Sequence, residues 1–175
     1  MDATRTSEPT AMKTNPTSVE RTSEREFVVT RSFNAPARLV FEAWTKPELL
    51  KRWWAPKSMG MSLASCEADV RVGGKYRIVF DLGDSKTMAF FGKYLEVKPH
   101  SRLVWTNEES DEGSVTTVTF AEEGGKTLVV MHELYPSKEA LDAAGTGAAD
   151  AMGETFDQLE ELLVTVAASS GRKEK

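Results

Sequence analysis

The chain has 175 residues, of which 40% are hydrophobic and 28% are charged, and its formal net charge at pH 7 is −5. This length and composition predict one globular domain with a hydrophobic core. The acidic balance argues against nucleic acid as a partner, because phosphate binding needs a surplus of Lys and Arg on one face. No apolar run approaches about 18 residues, so insertion into a membrane is not predicted.

The two ends of the chain differ from its middle in composition. Residues 1–25 contain almost no large apolar side chains, so they are predicted to form a disordered tail and not a secretory signal. Residues 169–175 are predicted to fray. The intervening residues 26–168 show no internal repeat, which indicates a single domain. Cys66 is the only cysteine, which excludes an internal disulfide and favours a reducing, cytoplasmic location.

One strand and two short helices are predicted at the start of the domain. Alternating side chains predict a strand over 26–33, in which Arg31 shares a face with the apolar residues. Pro36 suits the first position of a helix. The run Thr45-Lys46-Pro47-Glu48 matches a capping box, which predicts a second short helix that ends at Trp53-Trp54.

From Gly60 onwards apolar residues recur at every second position and no longer at helical spacing, which predicts six further strands. They span 61–69, 75–82, 87–97, 102–107, 114–120 and 127–135. Short breaks rich in Gly, Pro and Asp separate them, so neighbours are expected to pair antiparallel in chain order. Gly92 lies inside a strand and predicts a bulge or a bend there.

After Pro136 the pattern becomes helical again. Ser137 is a natural N-cap for a helix over 138–144, and a longer helix is predicted over 148–168. The apolar stripe of the long helix consists of Met152, Phe156, Leu159, Leu163 and Val166, and its predicted water-facing residues are Asp157, Glu160 and Glu161. The predicted fold is therefore α+β: a curved seven-stranded antiparallel sheet wrapped around a long C-terminal helix, with two short helices after the first strand.

Residue types that carry catalysis or bind metals are sparse. Gly73-Gly74-Lys75 lacks the spacing of a phosphate loop and is interpreted as a turn. His132-Glu133 lacks the second histidine of a zinc-protease motif, so no metal site is predicted. Cys66 has no neighbouring His or Lys in the sequence to activate it, which favours a structural strand residue. No catalytic residue and no cofactor are predicted, although the strand carboxylates, Asp69, Asp81, Glu96 and Glu133, could still meet in the fold.

Aromatic and methionine side chains are the clearest candidates for a binding site. The candidates are Trp53, Trp54, Tyr76, Phe80, Met88, Phe90, Trp105, Met131, Met152 and Phe156, with His132 as a polar anchor. We expect them to be divided between a dry core and the wall of a cavity, because one helix fills a curled sheet poorly and ligand pockets are mostly apolar. Trp53 and Trp54 are adjacent, so one of them is expected to act as a lid or contact residue.

Several stretches carry a resemblance to a known family. The first set is Phe33-Asn34-Ala35-Pro36, the run 40–45, Pro47-Glu48-Leu49-Leu50 and Trp53-Trp54-Ala55-Pro56. The others are the runs 69–74, 92–99 with 102–106, and 156–163. In this order they resemble the homologues of the activator of the heat-shock-protein-90 ATPase. These homologues belong to the START-like (SRPBCC) superfamily, which includes the birch-pollen allergen and polyketide cyclases, and the resemblance covers roughly residues 27–165.

This resemblance implies a helix-grip fold with a cavity between the sheet and the long helix. It implies three possible functions, because the superfamily uses one scaffold for several activities. The first is binding of a small apolar or aromatic molecule, such as a lipid or polyketide. The second is a cochaperone-type interaction with a chaperone or another protein in the stress response. The third is a cyclase or hydrolase activity on an apolar substrate. The scarcity of histidine favours binding over catalysis, and we expect a monomer or a weak homodimer.

Overall fold

The chain folds into one antiparallel sheet with short helices after its second strand and a long helix at its C-terminus. The computed structural model describes residues 17–55, 57–108, 113–144 and 147–173. The strands are β1 (Ser18–Arg21), β2 (Glu26–Phe33), β3 (Ser62–Ala68), β4 (Lys75–Gly83), β5 (Lys86–Lys98), β6 (Arg102–Thr106), β7 (Val115–Glu123) and β8 (Lys126–Leu134). The helices are α1 (Ala37–Thr45), α2 (Pro47–Leu50), α3 (Lys138–Ala144) and α4 (Gly147–Lys173), with a 3-10 turn at Lys57–Met59. Over the described residues, no helix has the length and apolarity needed to cross a membrane.

The strand order in the sheet is β1-β2-β8-β7-β6-β5-β4-β3, and every neighbouring pair is antiparallel. Strands β3 to β8 form the predicted meander, and its last strand, β8, pairs with β2. The predicted α+β helix-grip architecture is confirmed. The sheet has eight strands and not the predicted seven.

The additional strand, β1, lies inside the segment that was predicted to be disordered. All four of its side chains are exposed, so it carries no apolar pattern that a sequence could reveal. It is held by backbone pairing along the open edge of β2, from Ser18 opposite Thr30 to Arg21 opposite Phe27. The prediction of disorder is therefore wrong for residues 18–21, and residues 1–16 lie outside the described part.

Helix α4 packs on the concave face of the sheet at its β2 end. Every second residue of β2 is buried, and Phe33 meets Phe156 of α4 edge-on with ring centroids 5.4 Å apart. Leu159 of α4 is also fully buried. The helix continues to Lys173 and does not end near 168. The fraying of residues 169–175 stays a prediction. Residues 174–175 lie outside the described part.

A buried ion pair joins α4 to β2. Arg31 is 2% exposed, and its Nη2 donates to Oε1 of Glu160 at 3.0 Å. Its Nη1 donates to Oδ1 of Asp157 at 2.7 Å, and the Asp157 side chain is 59% exposed. Glu160 is buried, so the prediction that it faces water is wrong. The spacing of three residues places both carboxylates on the same side of the helix, where they meet the arginine.

Of the two predicted helix caps, the structure confirms one and contradicts the other. The Ser137 hydroxyl accepts a hydrogen bond from the Ala140 amide at 3.0 Å, which confirms the N-cap of α3. The capping box at Thr45 is wrong, because α2 begins at Pro47 without any side-chain cap. Thr45 instead donates to the Phe41 carbonyl one turn earlier in α1, at 2.9 Å.

Gly92 lies where the backbone of a neighbouring strand approaches β5 closely. A Cβ atom at this position would be 2.0 Å from the Thr106 carbonyl oxygen. The register of β5 against β6 shifts two residues later, between Tyr94 and Glu96. The glycine therefore permits close approach of two backbones next to the bulge that the sequence predicted at Gly92 itself.

We expect Gly92→Ala to lower the free energy of unfolding by about 2–3 kcal/mol, because the new methyl group would displace the backbone of Thr106. Gly153→Ala is the matched control: nothing lies within 4 Å of its Cβ position in α4, and the substitution is expected to add about 0.5–1 kcal/mol. Urea unfolding of both variants measures the difference. Equal effects at the two positions would contradict the role given to Gly92.

We expect Glu160→Leu to lower the free energy of unfolding by about 3 kcal/mol, because it leaves the buried Arg31 without its buried counter-charge. Asp157→Asn is expected to cost less than about 1 kcal/mol, because that carboxylate is exposed. The double variant Arg31→Met with Glu160→Leu should recover most of the loss. Urea unfolding tests all three variants, and a double variant as unstable as Glu160→Leu would argue against the buried charge as the cause.

Candidate functional site

A cavity of about 230 Å³ lies between the concave face of the sheet and the helices. Strands β2 to β8 all contribute to its wall. The helical side consists of Trp44 of α1, Leu50 of α2, Trp54 in the connection after α2, and Met152 of α4. At ~30 Å³ for each molecule the space has the volume of roughly eight waters, which is the size of an organic molecule with one or two rings.

Five aromatic rings form a continuous surface on one side of the cavity. We call this set the aromatic wall, and it consists of Trp44, Trp54, Tyr76, Tyr94 and Trp105. Trp44 contacts Trp54 and Trp105 with ring centroids 5.5 Å and 6.0 Å apart. Trp105 in turn contacts Tyr94 at 6.4 Å and Tyr76 at 6.5 Å. These edge-on and tilted contacts hold the rings in place.

Four polar side chains converge at one end of the cavity. This polar end consists of Asn107, Ser114, Thr116 and Glu133. The hydroxyl of Ser114 donates to Oε1 of Glu133 at 2.6 Å, and that of Thr116 lies 2.9 Å from both carboxylate oxygens. The Asn107 amide donates to the hydroxyls of Ser114 and Thr116 at 3.1 Å and 3.0 Å. Each donor therefore orients its neighbour, and the carboxylate is held in a fixed position.

Tyr76 connects the aromatic wall to the polar end. Its ring belongs to the wall, and its hydroxyl donates to the Thr106 carbonyl at 2.7 Å. The same hydroxyl lies 3.2 Å from Oδ1 of Asn107. An apolar surface and a hydrogen-bonding group are thus presented to the same small space.

The register of the sheet explains why these side chains meet. Phe27, Glu133, Thr116, Trp105 and Tyr94 are direct cross-strand partners on β2, β8, β7, β6 and β5. All five line the cavity. Directly opposed residues share a face and lie about 5 Å apart, so the row forms one band across the concave surface.

Seven of the eleven residues predicted from the sequence lie on the cavity wall. They are Trp54, Tyr76, Phe80, Phe90, Trp105, Met131 and Met152. Their contact with a ligand stays a prediction. Trp44, Asn107, Ser114 and Thr116 were missed, and Glu133 was considered only as one of the strand carboxylates that could meet in the fold.

Four predicted residues are not on the wall. Trp53 and Phe156 are fully buried in the core, and the Trp53 indole donates to the Ala43 carbonyl at 2.9 Å. Met88 is 47% exposed near the end of the β4–β5 hairpin. His132 lies on the outer face of β8, with Nε2 3.3 Å from Oε2 of Glu26.

The correction for His132 follows from strand geometry. Successive side chains of a strand point to opposite faces, so Met131 and its neighbour His132 cannot both face the cavity. Met131 faces inward, and the inward polar group is therefore Glu133. The alternation of the predicted strand was sufficient to make this choice from the sequence.

Burial affects two ionisable groups of the wall. It raises the pKa of the Cys66 thiol to about 11, partly opposed by the nearby positive charge of Lys51. Burial also raises the pKa of Tyr94 far above its usual range, and Cys66 adds to this effect. Tyr94 is 5% exposed, and its hydroxyl has no hydrogen-bond partner among the described residues. Both groups are therefore neutral at physiological pH, and Tyr94 presents an unused donor.

Two side chains of α4 hold the segment that carries Trp54. Gln158 donates to the carbonyls of Trp53 and Ala55 at 3.0 Å and 2.8 Å. Glu154 accepts from the amide and the hydroxyl of Ser58 at 2.8 Å and 2.6 Å, and these bonds lower the pKa of its carboxyl. The connection after α2 is thus tied to the long helix at several points, which fixes Trp54 at the cavity.

Within the described ranges, no group of three or more His, Cys, Asp or Glu is placed to hold a metal ion. The cavity therefore offers aromatic surface, hydroxyl and amide groups, a thiol and carboxylates as its chemistry.

Solved structures of bacterial proteins have a similar fold. A crystal structure of a protein from Nitrosomonas europaea is 26% identical with a TM-score of 0.76, and the match covers 83% of this chain and 98% of that one. One from Rhodobacter sphaeroides is 25% identical with a TM-score of 0.76, covering 87% and 98% of the two chains. An AHSA1-like protein from Aeromonas hydrophila, 22% identical with a TM-score of 0.64 over 80% and 94% of the chains, shows the fold alone.

No curated protein matches the chain. The family model described as Activator of Hsp90 ATPase homolog 1-like protein matches residues 34–164, which extend from the turn before α1 into α4. This match spans all the elements that enclose the cavity except β2, and it agrees with the helix-grip fold of the structure. The chain belongs to the family of Activator of Hsp90 ATPase homolog 1-like proteins.

Proposed function

We propose that this protein binds a small aromatic or apolar molecule in the cavity. The observation that carries the proposal is a pocket of about 230 Å³, partly open to solvent, whose lining combines the aromatic wall with the polar end. A concave, mostly apolar pocket of this kind is the usual form of a small-molecule site. Its apolar lining with few polar groups is typical of small-molecule sites.

The polar groups suit the role of anchors. Tyr94 lines the cavity, and its hydroxyl can donate a hydrogen bond to an acceptor that a ligand brings. The polar end supplies a hydrogen-bond acceptor, because the Glu133 carboxylate accepts hydrogen bonds. A ligand with polar groups at separate positions would therefore bind in one orientation.

Binding is favoured over catalysis by the state of the reactive residues. A cyclase or hydrolase needs an activated nucleophile or a matched acid–base pair. Cys66 is held in the unreactive thiol form because burial raises its pKa to about 11. His132 lies on the opposite face of β8 and cannot reach the cavity.

We expect 2-naphthol to bind saturably and to shift the indole N–H resonances of Trp54 and Trp105 in heteronuclear NMR spectra. The indole N–H resonance of Trp53 should not shift, because this indole is buried and hydrogen-bonded to the Ala43 carbonyl. Phe90→Ala should weaken binding roughly tenfold, because a buried phenyl contact is lost.

Phe91→Ala is the matched control, because this neighbour is 40% exposed on the outer face of β5. It should leave the affinity unchanged. Equal weakening by the two substitutions, or no binding by the unmodified protein at about 1 mM probe, would contradict the proposal.

We expect Cys66 of the folded protein to react with iodoacetamide about 250-fold more slowly at pH 8 than in urea, because a thiol with its pKa near 11 has about 0.1% thiolate there. An ordinary cysteine has roughly a quarter of its thiol ionised at this pH. The folded-state rate should rise about tenfold for each pH unit up to pH 10. A folded-state rate that levels off near pH 9 would show that the pKa of Cys66 is not raised.

A further inference from the structure

Positive charge is concentrated in the segment that follows α1. Residues 46–58 have four cationic side chains and one carboxylate, although the whole chain has a net charge of −5. The four cations are Lys46, Lys51, Arg52 and Lys57. Lys46 pairs with Glu42 at 3.8 Å, and the other three are exposed and flank Trp54 in the sequence. Because Trp54 lines the cavity, an excess of positive charge lies beside one part of the cavity wall.

Lys51 lies at the rim of the cavity. It forms the C-terminal cap of α2 and directly follows Leu50, which is buried and lines the cavity. Helix α2 packs against β3, where Cys66 is also a wall residue. The Lys51 side chain is exposed. Its position between the wall and solvent allows its ammonium group to meet a ligand that is partly inside the cavity.

Positive charge outweighs negative charge at this part of the wall. Burial raises the pKa of the Cys66 thiol, while the charge of Lys51 lowers it by more than the carboxylate of Glu67 raises it. Glu67 is exposed and lies directly opposite Arg77 on β4, so a cationic residue is its cross-strand neighbour. Glu154 of α4 already accepts two hydrogen bonds from the segment that carries Trp54. An anionic group at this rim is therefore attracted.

The interior of the cavity suits an apolar body better than a charge. Burial raises the pKa of both Cys66 and Tyr94, because surroundings that are poor in water disfavour an ionised group. A charged group of a ligand is therefore favoured at the rim, where water and Lys51 both reach it. The Glu133 carboxylate is remote from this rim, because four strands separate β8 from β3 in the sheet. An aromatic or apolar body inside, with one anionic group at the rim, thus matches the cavity.

We propose that the ligand of this cavity is an organic anion, an aromatic or apolar carboxylic acid in its ionised form, whose carboxylate binds Lys51 at the rim. This inference rests on the proposed function and adds the chemical class of the ligand. Lys51 supplies the ion pair, and the aromatic wall supplies the surface for the body of the ligand. Tyr94, a wall residue near Cys66, can donate a hydrogen bond to the same carboxylate.

A matched pair of probes tests this inference. 2-Naphthoate and 2-naphthamide have nearly the same shape and differ in the charge of one group. We expect 2-naphthoate to bind about fivefold more tightly than 2-naphthamide in NMR titrations of the full chain at low ionic strength. Because Lys51 is exposed, this preference should largely disappear at about 0.5 M NaCl. Lys51→Gln should remove most of the preference at low ionic strength. Lys126→Gln, at the exposed start of β8, makes the same change in net charge and should preserve it.

The outcomes separate this inference from the proposed function. Equal affinities of the unmodified protein for 2-naphthoate and 2-naphthamide overturn the anionic class and leave small-molecule binding in place. An unchanged preference in Lys51→Gln, or an equal loss in both variants, overturns the role of Lys51. Binding of 2-naphthol without binding of 2-naphthoate also overturns the anionic class. Failure of all three probes contradicts both proposals. If Lys51→Gln does not fold, a preference of the unmodified protein that survives about 0.5 M NaCl contradicts an exposed ion pair at the rim.

Discussion

The position of α4 on the sheet determines the rest of the architecture. The buried guanidinium of Arg31 pairs with Glu160, and Phe156 packs on Phe33, so the helix is fixed over β2 and beside α1. A single helix cannot also cover β4, β5 and β6, and within its described side chains only Met152 reaches the cavity. The far half of the concave face is covered instead by Trp44, Leu50 and Trp54, which leave a space. The cavity is thus a consequence of covering a wide curved sheet from one side.

The same sheet supplies the chemistry of that space. Because antiparallel register places cross-strand partners on one face, side chains that are distant in the chain form a single band of aromatic, hydroxyl and carboxylate groups. The close approach of Thr106 to Gly92 belongs to this arrangement, since Tyr76 donates to the Thr106 carbonyl and Asn107 follows it. Residues around β5 and β6 therefore both constrain the backbone of the sheet and line the cavity.

Much of the fold was predictable because strand and helix periods are local properties. All seven predicted strands and the long helix are present. Tyr76, Phe80, Trp105 and Met131, which were chosen as aromatic or methionine residues of strands, line the cavity. The failures have long-range causes. Strand β1 pairs through its backbone with the edge of β2, and its exposed side chains carry no apolar pattern. The burial of Glu160 depends on Arg31, 129 positions away. Trp53 and Phe156 were assigned to the cavity because local patterns cannot separate a core position from a wall position. Glu133 was accessible from the sequence, because it shares the phase of Met131.

The central proposal is that a small aromatic or apolar molecule binds in the cavity, beside the band that contains Thr116. Intermolecular nuclear Overhauser effects from the ring protons of bound 2-naphthol measure this location directly. We predict contacts to the indole ring of Trp105 and to the methyl group of Thr116, which are neighbours in the cross-strand row. Contacts confined to the exposed outer-face residues Phe91 and Leu95 would contradict an internal site.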